Sequence, residues 1–140
     1  RRPGMMEAAR EACEGETRLL GVTVVTSSNE TTLEETGQNG PVRDQVLRLA
    51  ALARESGLDG VVCSAHEIER LRQEFGNDFI LMVPGIRPAG SASQDQKRVM
   101  SPLEAMEKGA THLVIGRPIT GADNSETAAS AILDEIKAVR

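Results

Sequence analysis

The chain sorts into continuous apolar runs separated by stretches in which apolar residues return every three or four positions. The runs are "LLGVTVVT" (19–26), "GVVCSA" (60–65), "FILMVPGI" (79–86) and "HLVIGRPI" (112–119). None alternates apolar with polar, which is the pattern of strands buried on both faces of a parallel sheet. The intervening stretches carry helical spacing. In "VRDQVLRLAALARESG", Val42, Val46, Leu49 and Ala53 form one stripe and Gly57 supplies a stop. "HEIERLRQEFG" places Ile68, Leu71 and Phe75 together and ends at Gly76. "SPLEAMEKG" offers Ser101 as N-cap, Pro102 at the first helical position, Glu104 as capping-box partner and Gly109 as the stop. A last helix over 124–139 starts from "DNSE", with Asp123 as N-cap and Glu126 three residues on.

The predicted order is one helix, then strand and helix four times. Strands alternating with helices imply a parallel sheet with right-handed crossovers. Two loops, 27–41 and 85–100, are long, and both follow the carboxyl end of a strand, where α/β folds place their ligands. Four such units make half of a (β/α)8 barrel, which takes about 250 residues. An open four-stranded sheet of flavodoxin type is the rival. The chain opens "RRPGMMEAAR", with no initiator methionine and a helix already under way. That opening favours the barrel. The expected fold class is therefore α/β, a parallel (β/α)8 TIM barrel of which residues 1–140 cover about the last four βα units, the N-terminal half being absent.

Composition narrows the partners. A length of 140 residues is that of one domain, and 39% hydrophobic with 26% charged residues is ordinary for a soluble globular chain. The net charge of −5 provides no broad field for nucleic acid, so any anion must be held by a local cluster. No apolar run approaches the roughly 18–20 residues that span a bilayer, and no signal peptide precedes the first helix, so a cytoplasmic location is expected. Cys13 and Cys63 are the only cysteines, expected as small buried hydrophobes rather than a disulfide. His66 and His112 stand far apart, and no Cys/His cluster has metal-ligand spacing.

The candidate chemistry lies at the strand tips. In "LVIGRPIT" an apolar run ends in Gly116, which permits close approach of the backbone, and Arg117, whose planar fork suits phosphate oxygens. The alternative is an arginine that caps the barrel mouth through a carboxylate. Another strand end repeats the pattern, with Arg87 after Gly85 and followed by Pro88. Beyond it, Gln94 and Gln96 offer neutral donors for a phosphate or nucleobase, whereas Lys97 and Arg98 read as solvated charges.

Together "VTVVTSS", "GLDGVVCSAHE", "LMVPGIRPAGSASQDQKRVMSP" and "ATHLVIGRPIT" resemble the orotidine 5′-phosphate decarboxylase family of the bacterial short-chain type, over nearly the whole chain. The resemblance implies a (β/α)8 barrel that converts orotidine monophosphate to uridine monophosphate and CO2 in pyrimidine biosynthesis, with no cofactor and no metal. It implies that Thr26 contacts the pyrimidine, that Arg87 and Gln96 close over the substrate, and that Gly116 and Arg117 hold the phosphate. It also implies a homodimer in which an aspartate of one subunit completes the other's site.

The same resemblance exposes a gap. The family's reactive lysine stands between aspartates in a D-x-K-x-x-D-I-P stretch on an earlier strand, where it protonates the carbanion left by CO2. Here the lysines are Lys97, Lys108 and Lys137. "DQK" at 95–97 imitates the start of that motif, but Met100 occupies the place of the second aspartate. No catalytic residue is therefore assigned in this chain, and the chain alone is expected to be inactive. Other readings are a different phosphosugar barrel, such as a hexulose-phosphate synthase, or a non-catalytic half-barrel that binds phosphate ligands.

Overall fold

A computed structural model describes residues 4–88 and 99–139. In chain order the elements are α1 (Gly4–Ala12), β1 (Leu20–Val22), α2 (Glu30–Glu35), α3 (Val42–Glu55), β2 (Gly60–Val62), a 3-10 turn (Ala65–Glu67) running into α4 (Ile68–Phe75), β3 (Ile80–Pro84), α5 (Pro102–Lys108), β4 (His112–Val114), α6 (Arg117–Thr120) and α7 (Ser125–Lys137). The strands form one parallel sheet in sequential order, β1-β2-β3-β4. Sequential order with right-handed crossovers puts every connecting helix on the same side.

The sheet therefore has two unlike faces. Alternate residues Val61, Cys63, Leu81 and Val83 are buried against Val46, Ala50 and Ala53 of α3, Ile68 and Leu71 of α4, and Ala105 of α5. The residues between them point the other way. Leu20, Val22, Val62, Ile80, Met82 and Val114 are apolar, yet none belongs to that core. Val22 is 62% and Val114 45% exposed. A doubly wound open sheet would carry helices on this second face. A barrel turns it inward.

Local chemistry explains most of the boundaries. Ser101 caps α5 by accepting from the Glu104 backbone N–H at 3.1 Å, while the Glu104 carboxylate accepts from the Ser101 N–H at 3.0 Å. Gly109 ends that helix in the left-handed region at φ 115°. Asp59 anchors the amino ends of the strands: its carboxylate accepts from the Leu19 backbone N–H at 2.7 Å and from Arg10 at 2.9 Å. The Leu19 hydrogen bond, followed by the charges of Arg10 and Arg18, holds that carboxyl below its usual range against the opposing effect of burial.

Several expectations need correction. The strands are shorter than the apolar runs. β1 stops at Val22 because its neighbour β2 stops at Val62, after which that chain turns into the 3-10 segment; beyond it the Thr23 N–H and hydroxyl both donate to the Val62 carbonyl, at 3.2 and 2.8 Å. The run 112–119 divides into β4 and the short helix α6. Loop 27–41 contains α2, capped by Asn29, whose Oδ1 accepts from the Thr32 N–H at 2.9 Å. The cap of α7 is Asn124 rather than Asp123. On α3 the buried stripe is Val46, Ala50 and Ala53, and Leu49 is only half-buried. Both cysteines are free thiols, Cys63 buried and Cys13 half-buried.

Candidate functional site

The carboxyl ends of the strands open into a cleft of about 540 Å³. Its walls come from the segments after β1, β2, β3 and β4, which bring Thr26, Arg87 and Arg117 together from positions far apart in sequence. Gly116 adjoins as the residue before α6, with nothing within 4 Å of where a side chain would begin. Gln96 lies outside the described residues, as do Gln94, Lys97 and Arg98.

Each arginine arrives by a different route. Arg87 leaves β3 after Gly85, whose φ of 74° turns the chain, and its backbone N–H is fixed to the Met100 carbonyl at 3.2 Å. This bond ties the two described ends of the 85–100 loop together at the cleft wall. Arg117 begins α6, and the Ile119 and Thr120 N–H groups bond back to the Gly116 carbonyl at 2.9 and 3.0 Å. Among the described residues neither guanidinium has an ion-pair partner. The reading in which Arg117 caps the mouth through a carboxylate is therefore not realised there. Two guanidinium groups at one opening, without an ion-pair partner among the described residues, form a local positive cluster on a chain of net charge −5.

The cleft also holds residues that the sequence reading did not assign to it: Ser64, His66 and Glu67. The Glu67 carboxylate is occupied locally, accepting from the Ser64 N–H at 2.8 Å, so it shapes the turn rather than neutralising an arginine. The available signal was S-x-x-E directly after a strand, the signature of a helix start at the mouth. Cys63, one residue away, faces the core. Burial, reinforced by the Glu67 charge, pushes its thiol up to about 12, so it is no nucleophile.

The two described lysines stand elsewhere. Lys108 pairs with Glu69 at 2.9 Å and Lys137 with Asp134 at 2.8 Å, and neither lines the cleft. Among the described residues there is no group of three or more His, Cys, Asp or Glu side chains able to hold a metal ion. No helix among them is long and apolar enough to cross a membrane.

Residues 2–132 match the profile of the family described as "Orotidine 5′-phosphate decarboxylase / HUMPS family". The chain belongs to this family. Among curated relatives, the orotidine 5′-phosphate decarboxylase of Geotalea daltonii is 51% identical over 135 residues, which is 95% of this chain and 56% of the relative. That of Rhodospirillum rubrum is 54% identical over 140 residues, or 94% of this chain and 57% of the relative. The crystal structure of the Lactobacillus acidophilus orotidine 5′-phosphate decarboxylase superposes with a TM-score of 0.82 at 36% identity, covering 96% of this chain and 59% of that one. An uncharacterised conserved protein from Geobacillus kaustophilus gives a TM-score of 0.78 at 32% identity. The chain thus spans a little over half the length of the family members it matches. The family assignment and the parallel α/β architecture both agree with the sequence reading.

Proposed function

We propose that the chain forms the phosphate-binding wall, and part of the pyrimidine-binding wall, of an orotidine 5′-phosphate decarboxylase, and that it represents the C-terminal part of that enzyme's barrel. The observation that carries this reading is the meeting of Arg87, Arg117 and Thr26 in one cleft at the strand carboxyl ends, neither guanidinium having an ion-pair partner among the described residues. Arg117 and the Gly116 backbone hold the nucleotide phosphate. Arg87 approaches from the facing loop, with Gln96 further along it, and the Thr26 hydroxyl meets the base. Interactions with the remote phosphate support loop closure and orientation, which is how non-reacting groups raise a rate.

The reaction exchanges CO2 for a proton on the pyrimidine ring, so it needs a proton donor. Lys108 and Lys137 are held in surface ion pairs away from the cleft. The chain alone is accordingly inactive, and decarboxylation belongs to a longer protein, homodimeric and cytoplasmic, in which a lysine–aspartate array faces this wall. Hexulose-phosphate synthase is less favoured, because the "GIRP…DQ" loop and the curated relatives both point to the decarboxylase.

The test is binding of uridine monophosphate and of uridine, by titration calorimetry, to the chain and to Arg117→Ala. Charge-assisted hydrogen bonds are worth roughly 1.5–3 kcal/mol, so the nucleotide should bind about ten- to a hundredfold more weakly while uridine is unaffected. Equal weakening of both ligands refutes the assignment.

A further inference from the structure

We infer that a recess between α3 and the start of α4 is a second anion site, separate from the cleft at the strand tips, and that it takes a small oxyanion of the phosphate kind. The recess holds about 230 Å³. It does not arise from where the chain begins or ends. α3 and α4 are the crossovers on either side of β2, an inner strand paired along both edges, and both helices pack onto the buried core.

The floor of the recess is apolar and closed, with Val46 of α3 and Leu71 of α4 each 1% exposed. The rim is cationic, formed by Arg43, Arg70 and His66. Arg70 has no hydrogen-bond or ion-pair partner among the described residues. Arg43 has only Asp44, at 3.9 Å between side chains that are 69% and 45% exposed, a surface contact of little worth. One carboxylate lines the recess, that of Glu67, and it accepts from the Ser64 N–H at 2.8 Å rather than pairing with either arginine. The adjacent Glu69 pairs with Lys108 at 2.9 Å instead.

The position of Arg43 supports a bound anion. It is the second residue of α3, in the first turn, where the helix dipole favours an acid over a cation. A second guanidinium at the same rim adds like charge without a compensating acid. An anion held between the two groups offsets both effects. Guanidinium groups grip oxyanions through planar, two-pronged hydrogen bonds. The volume is below the about 300–1,000 Å³ of pockets that enclose drug-sized ligands, so the occupant is small.

His66 and Glu67 line both openings, which makes the 3-10 turn the wall between them. The inference stands apart from the nucleotide reading of the cleft, and the test keeps the two separate. Inorganic phosphate is titrated into the 15N-labelled chain at constant ionic strength and followed by two-dimensional NMR. The Arg43 and Arg70 side-chain N–H resonances should shift together in one saturable process. That process should persist in Arg117→Ala, which alters only the cleft. Arg43→Gln and Arg70→Gln, both at exposed positions, should each weaken it about tenfold. Lys137→Gln removes the same charge on α7, outside the recess, and should leave it unchanged. Shifts that never saturate, loss of the process in Arg117→Ala, or indifference to Arg43→Gln and Arg70→Gln would each overturn the proposal. Saturable shifts confined to Gly116 and Arg117 would also overturn it, while leaving the reading of the cleft intact.

Discussion

Arg72 is the side chain on which two helix ends depend, and its replacement makes a quantitative prediction. Its Nε donates to the Gly109 carbonyl at 2.8 Å, and its Nη1 donates to the carbonyls of Gly76 and Phe79 at 2.9 and 2.6 Å. Gly76 and Gly109 are the C-caps of α4 and α5, so the guanidinium sits at two negative helix ends at once. Burial works against its charge and pulls its pKa down from the ordinary value, which is the cost these carbonyls offset. In Arg72→Ala the Gly76 carbonyl is exposed and finds water, whereas Phe79 is buried and Gly109 half-buried. Two carbonyls left poorly satisfied, at about 1–3 kcal/mol each and less than additive, give a loss of roughly 2–4 kcal/mol. For a chain of this size that is a fall in Tm of roughly 10 °C. Thermal unfolding by circular dichroism measures it. Arg72→Lys should recover less than half, because one ammonium cannot span three acceptors. A loss under about 1 kcal/mol, or full recovery by lysine, would refute the reasoning.

Other predictions concern single positions. Gly60→Ala should abolish the soluble fold, because an added Cβ would overlap the Ile80 carbonyl across the β2–β3 ladder; Gly116→Ala meets nothing within 4 Å and should fold normally, which the soluble yield of each will show. Asp59 has a folded pKa lowered below its unfolded value, so its stabilisation is present above about pH 4 and is lost as pH falls through the lowered folded value. Asp59→Asn should therefore flatten the acid limb of a Tm-against-pH curve, and an unchanged limb would show that other carboxylates govern it.

The parts of the fold legible in the sequence are those fixed by short-range chemistry. Ser101, Pro102, Glu104 and Gly109 each do at α5 what their residue types require. The Gly57 and Gly76 stops likewise stand at positive φ, 81° and 74°. Strand ends were not legible, because a strand ends where its neighbour's ladder ends, and Val24–Thr26 are as apolar or β-branched as the residues that do pair. α2 was hidden for a different reason. Its six residues bury only Leu33, too few for a periodic stripe, and its one clear signal was Asn29 ahead of a Thr-Thr pair. At α7, Asp123 and Asn124 are both good caps, and composition alone does not choose between them. For the candidate site, Arg87 and Arg117 stood out because each is a charge shortly after a glycine at a strand tip, whereas Thr26 was singled out only through the family resemblance. Ser64 and Glu67 did not stand out, because their turn reads equally well as an ordinary helix start.

The continuity of the apolar runs carries one more consequence. Continuous rather than alternating runs mean burial on both faces, yet among the described residues only the helix side of this sheet is covered. The second face therefore belongs to an interior completed from outside these strands. The cleft holding Arg87 and Arg117 sits at the carboxyl end of that face, so the layer that completes the interior also removes water from beside the arginines. Coulomb interactions strengthen as water leaves, from about 1 kcal/mol at 4 Å in bulk water to about 4 kcal/mol at an effective dielectric constant of 20. On the proposed reading, closure of the barrel and grip on a phosphate would thus be coupled through the dielectric. Phosphate affinity should then be higher in the completed barrel than in this chain alone. Titrating inorganic phosphate, a probe of the arginines alone, into a longer protein that contains this sequence and into the 140-residue chain should show tighter binding at the cleft by the former. Equal affinity in the two states would mean that the arginines are already as dehydrated in the open sheet as they become in the barrel, and the coupling would fail.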